Sequence, residues 1–166
     1  MIGIIGFGRF GRLATRYLAK DFDVLVHDRS DRSKEIEAVG GRRASLLSVC
    51  RQNFVVLCVP ISVLQNLLRE IEPLLKKDAV VVDVCSVKVY PAQWMKALLP
   101  ETVSILATHP VFGPDSAADS LKNRKIFLSP VRLAEGPYQA IKTYLSSKEL
   151  ILIESTPEDH DEQTAV

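Results

Sequence analysis

Four apolar residues, Ile2–Ile5, run directly into Gly6-Phe7-Gly8-Arg9-Phe10-Gly11, and an apolar stripe of Phe10, Leu13, Ala14, Tyr17 and Leu18 starts before the glycines end. Few local patterns restrict a chain more. A strand must stop, turn within two residues and become a helix, and glycine is required at three fixed places in that turn. The first glycine permits the tight turn, the second lets backbone N–H groups approach an anion, and the third lets helix and strand pack closely. The helix N-terminus then faces a phosphate, so the expected ligand is a dinucleotide held by Gly6, Phe7, Gly8, Arg9, Phe10 and Gly11.

The rest of the chain repeats the strand and helix alternation. Short apolar runs at Val24–His27, Phe54–Val59, Ala79–Val84 and Val103–Thr108, with weaker ones at Lys125–Ser129 and Leu150–Ile153, read as strands. Two of them, Phe54–Val59 and Ala79–Val82, are apolar at nearly every position, which predicts helices on both sides. Leu64, Leu67, Leu68, Ile71 and Leu75 recur at helical spacing, with Ser62 and Gln65 as an expected capping box. Arg42-Arg43-Ala44-Ser45 reads as a loop before a short helix, and Trp94 with Leu98 as packing. The expected fold is α/β, a Rossmann-type doubly wound, mostly parallel sheet with helices on both faces.

Composition narrows the function. The 166 residues carry 21 Lys plus Arg against 20 Asp plus Glu, a formal charge of +1 with the signs interspersed, so no nucleic-acid partner is expected. The longest apolar run, Phe54 to Leu64, is broken by Pro60 and Ser62 and falls short of the roughly 20 residues that span a bilayer. No membrane partner is expected, and the start of the chain lacks a secretory pattern, so the expected location is cytoplasmic. Cys50, Cys58 and Cys85 lack metal-ligand spacing and read as buried thiols, with no metal site expected.

Asp28 closes the second strand 22 residues after Gly6, where a carboxylate accepts hydrogen bonds from an adenosine ribose and repels a 2′-phosphate. That favours NAD. Arg29 and Ser30 follow at once and suit the extra phosphate of NADP, so the reading leans only slightly to NAD. Val59 and Pro60, at the end of the next strand, complete the expected cofactor set. Polar groups also stand at the later strand exits: Asp83 to Lys88, Thr108 to Pro114, and Thr156 to Asp161. Pro110 restrains His109, a natural base for an alcohol proton; Ser86 is placed to bond either that histidine or a substrate hydroxyl.

Taken together, the glycine loop, Leu57-Cys58-Val59-Pro60, Asp83 to Lys88, His109-Pro110-Val111-Phe112-Gly113-Pro114 and Glu158-Asp159-His160-Asp161 resemble the prephenate/arogenate dehydrogenase family over essentially the whole chain. The wording from Thr108 to Ser116 is closest to the plant-type arogenate branch, where Met and Glu usually stand in place of Val111 and Asp115. The resemblance implies NAD(P)-dependent oxidative decarboxylation of prephenate or arogenate in tyrosine biosynthesis. It makes His109 the catalytic residue, Ser86 its orienting partner and His160 a substrate-binding residue, with Lys88 left to contact substrate or cap a turn. It also implies a nucleotide-binding domain over residues 1–155 and, over 156–166, the start of a helix linking to a helical dimerisation domain absent from this chain. A homodimer is expected only with that domain, and the chain alone is expected to turn over substrate poorly. Two other readings share the glycine loop: a non-catalytic NAD(H)-sensing domain, which needs neither Ser86 nor His109, and an oxidoreductase of the β-hydroxyacid dehydrogenase or imine reductase type.

Overall fold

Strands with no polar face must be covered, and the chain does so by laying helices against one sheet. The computed structural model describes residues 1–165. It runs β1 (Ile2–Ile5), α1 (Arg9–Leu18), β2 (Val24–His27), α2 (Ser33–Ala38), β3 (Arg42–Arg43), α3 (Leu46–Cys50), β4 (Phe54–Leu57), α4 (Ile61–Ile71), β5 (Val80–Asp83), α5 (Val89–Leu98), β6 (Ser104–Pro110), β7 (Lys125–Arg132), α6 (Glu135–Ser147), β8 (Ile151–Glu154) and α7 (Pro157–Thr164). The strand order is β3-β2-β1-β4-β5-β6-β7-β8, parallel throughout except that β7 runs against β6. This is the expected doubly wound sheet. Strand order reverses between β1 and β4, the point where sheets of this kind bind ligands at the carboxyl ends of their strands.

One face is buried by α3, α4 and α5, where Val55, Leu57, Leu64, Leu68, Ile71, Val81, Met95 and Ile105 form the largest core cluster. The α4 stripe is buried as its spacing requires. On the other face α1 and α2 cover β1 and β2, and α6 covers the far end of the sheet. Between them the expectation of complete cover fails: Phe54, Val56, Val82 and Leu106 line an apolar groove of about 430 Å³ between α1 and α6. The crossovers leaving β4 and β5 both use the opposite face, so among the described residues no helix lies over the middle strands on this one. Among the described residues no helix is long and apolar enough to cross a membrane.

Three local expectations change. The helix after β4 opens at Ile61 with Pro60 as its N-cap and no side-chain cap, so Ser62 lies inside the first turn and the Ser62–Gln65 capping box does not form. Proline's fixed φ, here −58°, starts the helix one residue early. Arg42-Arg43 is a short edge strand rather than loop, pairing with Leu25 and Val26; two exposed arginines suit an edge. Ser45 then caps α3 through the Ser48 N–H at 3.1 Å. Finally, β6 and β7 extend each other by antiparallel pairing, which draws His109 and Pro110 into the strand opposite Phe127 and Ile126.

Candidate dinucleotide site and histidine cluster

The three glycines divide their tasks by what surrounds them. Gly6 has φ +98°, and a Cβ there would lie 2.3 Å from the Cys58 carbonyl oxygen. A Cβ on Gly11 would lie 2.1 Å from the Gly6 carbonyl oxygen, so helix and strand approach as closely as backbone allows. Gly8, the N-cap of α1, has nothing within 4 Å of the same position. Its open side lies at a helix end with no side-chain cap and no acidic residue in the first turn, so the first N–H groups remain free for an anion. These residues fit a dinucleotide pyrophosphate.

Asp28 stands beside this loop. Its carboxylate accepts the Phe7 N–H at 2.7 Å and the Ser30 N–H at 2.9 Å, tying the end of β2 to the glycine turn. Arg29 and Ser30 are exposed next to it. Phe7 corrects the sequence reading: its side chain is fully buried with Ile4, Val26 and Ile36 and its N–H is taken by Asp28, so it supports the loop from inside rather than touching a ligand. An apolar residue inside a glycine turn has nowhere else to go when α1 and α2 close over it. Phe10 likewise turns its ring into the apolar groove against Phe112, leaving only its backbone to the loop. Val59 is half-buried and Pro60 exposed at the exit of β4. Arg9 is exposed and pairs with Asp115 at 2.6 Å, while the Tyr17 hydroxyl donates to the Ala117 carbonyl at 2.9 Å. The segment after β6 is thereby strapped to α1, which brings the exit of β6 alongside the glycine loop.

At that exit is the second half of the site. His109 and His160 meet through Nδ1 and Nε2 at 2.9 Å, and His160 Nδ1 lies 2.7 Å from the Asp161 carboxylate. Thr156 caps α7 by accepting the Asp159 N–H at 3.1 Å, with Pro157 in the first turn, and this sets His160 facing β6. Phe127 stacks on His109 at 6.4 Å and meets the His160 ring edge-on at 4.7 Å. Burial, with His160 and Lys88 nearby, lowers His109 to a pKa of about 4, so its ring is neutral at pH 7. Burial alone would raise the Asp161 carboxyl, but the Val89 N–H, the His160 ring and the Lys88 N–H together hold it below its ordinary value.

Two sequence readings shift here. Ser86 is exposed and makes no hydrogen bond to His109; the partner of His109 is His160. Lys88, left undecided between substrate and turn, is fully buried. Its ammonium donates to Asp83 at 2.5 Å and to the Thr108 carbonyl at 2.6 Å. Asp83 also accepts the Cys85 N–H at 2.9 Å, and burial pushes its carboxyl up against the pull of Lys88. The pair pins the residue before His109 to the end of β5. Sequence reasoning missed Asp83 and Asp161 as fixing groups, although a carboxylate ending a run of three valines is itself a sign of a buried partner. Burial raises the three thiols, Cys50 to about 11 and Cys58 and Cys85 to about 12, which disfavours the thiolate form at neutral pH.

A glycine turn at the switch point, an uncapped helix N-terminus beside it and a carboxylate at the end of β2 define a dinucleotide-binding domain of the Rossmann type. Comparison with known proteins narrows that class. The family described as the prephenate dehydrogenase nucleotide-binding domain matches residues 25–149, and the chain belongs to it. Arogenate dehydrogenase 2 of Arabidopsis thaliana, a chloroplastic protein, is 32% identical over 139 residues, covering 81% of this chain and 39% of its own length. A probable arogenate/prephenate dehydrogenase of Methanocaldococcus jannaschii is 27% identical over 168 residues, 96% of this chain and 37% of its own. The chain thus spans about four-tenths of the length of these relatives. Among solved structures, Synechocystis arogenate dehydrogenase superimposes with a TM-score of 0.83 at 24% identity, over 99% of this chain and 62% of that one. Prephenate dehydrogenase of Aquifex aeolicus, solved with hydroxyphenyl propionate and NAD+, gives 0.82 at 20% identity, over 99% and 63%. Both share the fold.

Proposed function

We propose that this chain is the nucleotide-binding half of an enzyme that oxidatively decarboxylates prephenate or arogenate with NAD(P)+. The observation that carries the reading is His109, a neutral imidazole at the end of β6, strapped beside a glycine loop open to a pyrophosphate and making no hydrogen bond through Nε2 to any described residue. A nicotinamide dinucleotide, held by the Gly6–Gly11 turn and the start of α1, would supply the acceptor for the hydride on the ring carbon that bears the hydroxyl. His109 Nε2 takes the hydroxyl proton as the C–O bond becomes C=O. The bond to the ring carboxylate then breaks, carbon dioxide leaves, and the electron pair aromatises the ring as its oxygen regains a proton. Asp28 supports NAD over NADP, since its fixed carboxylate meets a ribose diol and repels a 2′-phosphate. A helical portion beyond this chain would complete the substrate pocket and the dimer.

His109→Asn in the full-length protein tests the reading. Turnover is expected to fall about 10²–10⁴-fold with dinucleotide affinity unchanged by calorimetry. Unchanged turnover would refute it. Asp28→Ser is expected to move the NADP to NAD affinity ratio upward; equal ratios in paired titrations would remove the preference for NAD.

A further inference from the structure

We propose that Asp161, acting through His160, is a positioning residue that fixes the tautomer of His109 so that its Nε2 lone pair is the one free to accept a proton. The inference rests on the reading of His109 as the proton acceptor and assigns to α7 an orienting role that the sequence pattern suggested for Ser86. It begins at the carboxylate. Asp161 accepts the backbone N–H groups of Lys88 at 2.7 Å and Val89 at 2.9 Å, at the start of α5. Those two donors and the helix end favour the ionised form, which can only accept.

Everything upstream follows from that one constraint. A carboxylate 2.7 Å from His160 Nδ1 requires a proton on Nδ1, and with that as the ring's single proton Nε2 is an acceptor. His109 Nδ1, 2.9 Å away, must then donate, and the neutral His109 ring carries no proton on Nε2. The opposite tautomer would set two lone pairs against each other across 2.9 Å in a buried site, where an unmade hydrogen bond costs about 1–3 kcal/mol. The groups facing the cluster agree with this assignment. Lys88 from the start of α5 adds positive charge and disfavours a proton on His109; Asp83 on β5 neutralises Lys88; Phe127 on β7 offers only a ring face and edge. When Nε2 does gain a proton, the same chain lets the new positive charge be shared through His160 with the Asp161 carboxylate.

Long-range proton–nitrogen spectra of the histidine rings in the 15N-labelled chain test this without substrate or cofactor. His109 and His160 are both expected as Nδ1–H tautomers at neutral pH. Asp161→Asn replaces an acceptor with an amide that offers N–H, and His109 is expected to invert to Nε2–H. Should that variant fail to fold, His160→Phe keeps the bonds of Asp161 to the start of α5 and removes the acceptor, and His109 is again expected to leave the Nδ1–H state. Nε2–H at His109 in the unaltered chain, or an unchanged tautomer in either folded variant, overturns the proposal. In the full-length protein Asp161→Asn should lower kcat about 10²–10⁴-fold with KM and dinucleotide affinity nearly unchanged. The two readings fail separately: Nε2–H at His109 alongside a crippled His109→Asn refutes the tautomer chain alone, and Nδ1–H alongside an active His109→Asn refutes the base.

Discussion

Replacing Lys88 with methionine removes one ammonium and keeps most of the side-chain volume, which isolates the electrostatic role of a group that sequence alone left undecided. Lys88 and Asp83 are both fully buried, and the ammonium also donates to the Thr108 carbonyl. Without it, Asp83 keeps the backbone N–H groups of Cys85 and Thr108 but loses its only counter-charge among the described residues, and the Thr108 carbonyl loses its side-chain donor. Breaking a buried pair from one side costs about 3–5 kcal/mol, against a total stability of about 5–15 kcal/mol for a domain. Chemical denaturation should show that loss, and the melting temperature should fall by about 6–20 °C. The pH dependence identifies the cause. Asp83 is already held above its unfolded value with Lys88 in place, and without the ammonium it rises further, so the variant should lose more stability than the unaltered chain as pH rises through the folded pKa. Replacing both residues together, Asp83→Leu with Lys88→Met, should recover most of the loss. A single-variant cost below about 1 kcal/mol, or a double variant no better than the single, would refute the view that a paired charge holds β5 to β6.

Gly11→Ala drives a Cβ into the Gly6 carbonyl and is expected to destabilise the fold by at least about 2 kcal/mol, whereas Gly8→Ala meets open space and should leave stability within about 1 kcal/mol while weakening dinucleotide binding at least about tenfold. Melting curves and calorimetric titration of the two variants separate a packing glycine from a ligand-approach glycine. Because folded His109 holds its proton less tightly than the unfolded ring, the unfolded chain binds more protons between about pH 6.5 and 4, and stability falls as pH drops through that window. His109→Gln should remove about 1–2 kcal/mol of that fall, allowing for screening at a half-buried ring, when denaturation is compared at pH 7 and pH 4.5. Thr156→Ala removes the α7 cap and should cost about 1 kcal/mol by denaturation, with His160 ring signals broadened as its helix start loosens.

The sequence by itself determined the parts whose physics is local. Gly6, Gly8 and Gly11 are demanded by a turn only a few residues long, and the unbroken apolar runs of β4 and β5 admit little but a covered parallel sheet. Thr156 and Pro157 announce α7 because caps act within one turn. Tertiary structure alone decided which distant groups meet. His109 and His160 are 51 residues apart and touch only because β6 and α7 converge beside α5, and no periodicity encodes that pairing. Lys88 could not be assigned from sequence because a lysine is usually solvated, and only the carboxylate five residues back, turned inward on β5, reverses that preference. Phe7 was misread for the opposite reason: it stands inside a glycine turn, but the positive φ of Gly6 ends the strand and the cover of α1 and α2 takes its ring into the core with Ile4, Val26 and Ile36. Spacing along the chain fixes backbone shape, while the partners of a buried polar group depend on which elements fold together around it.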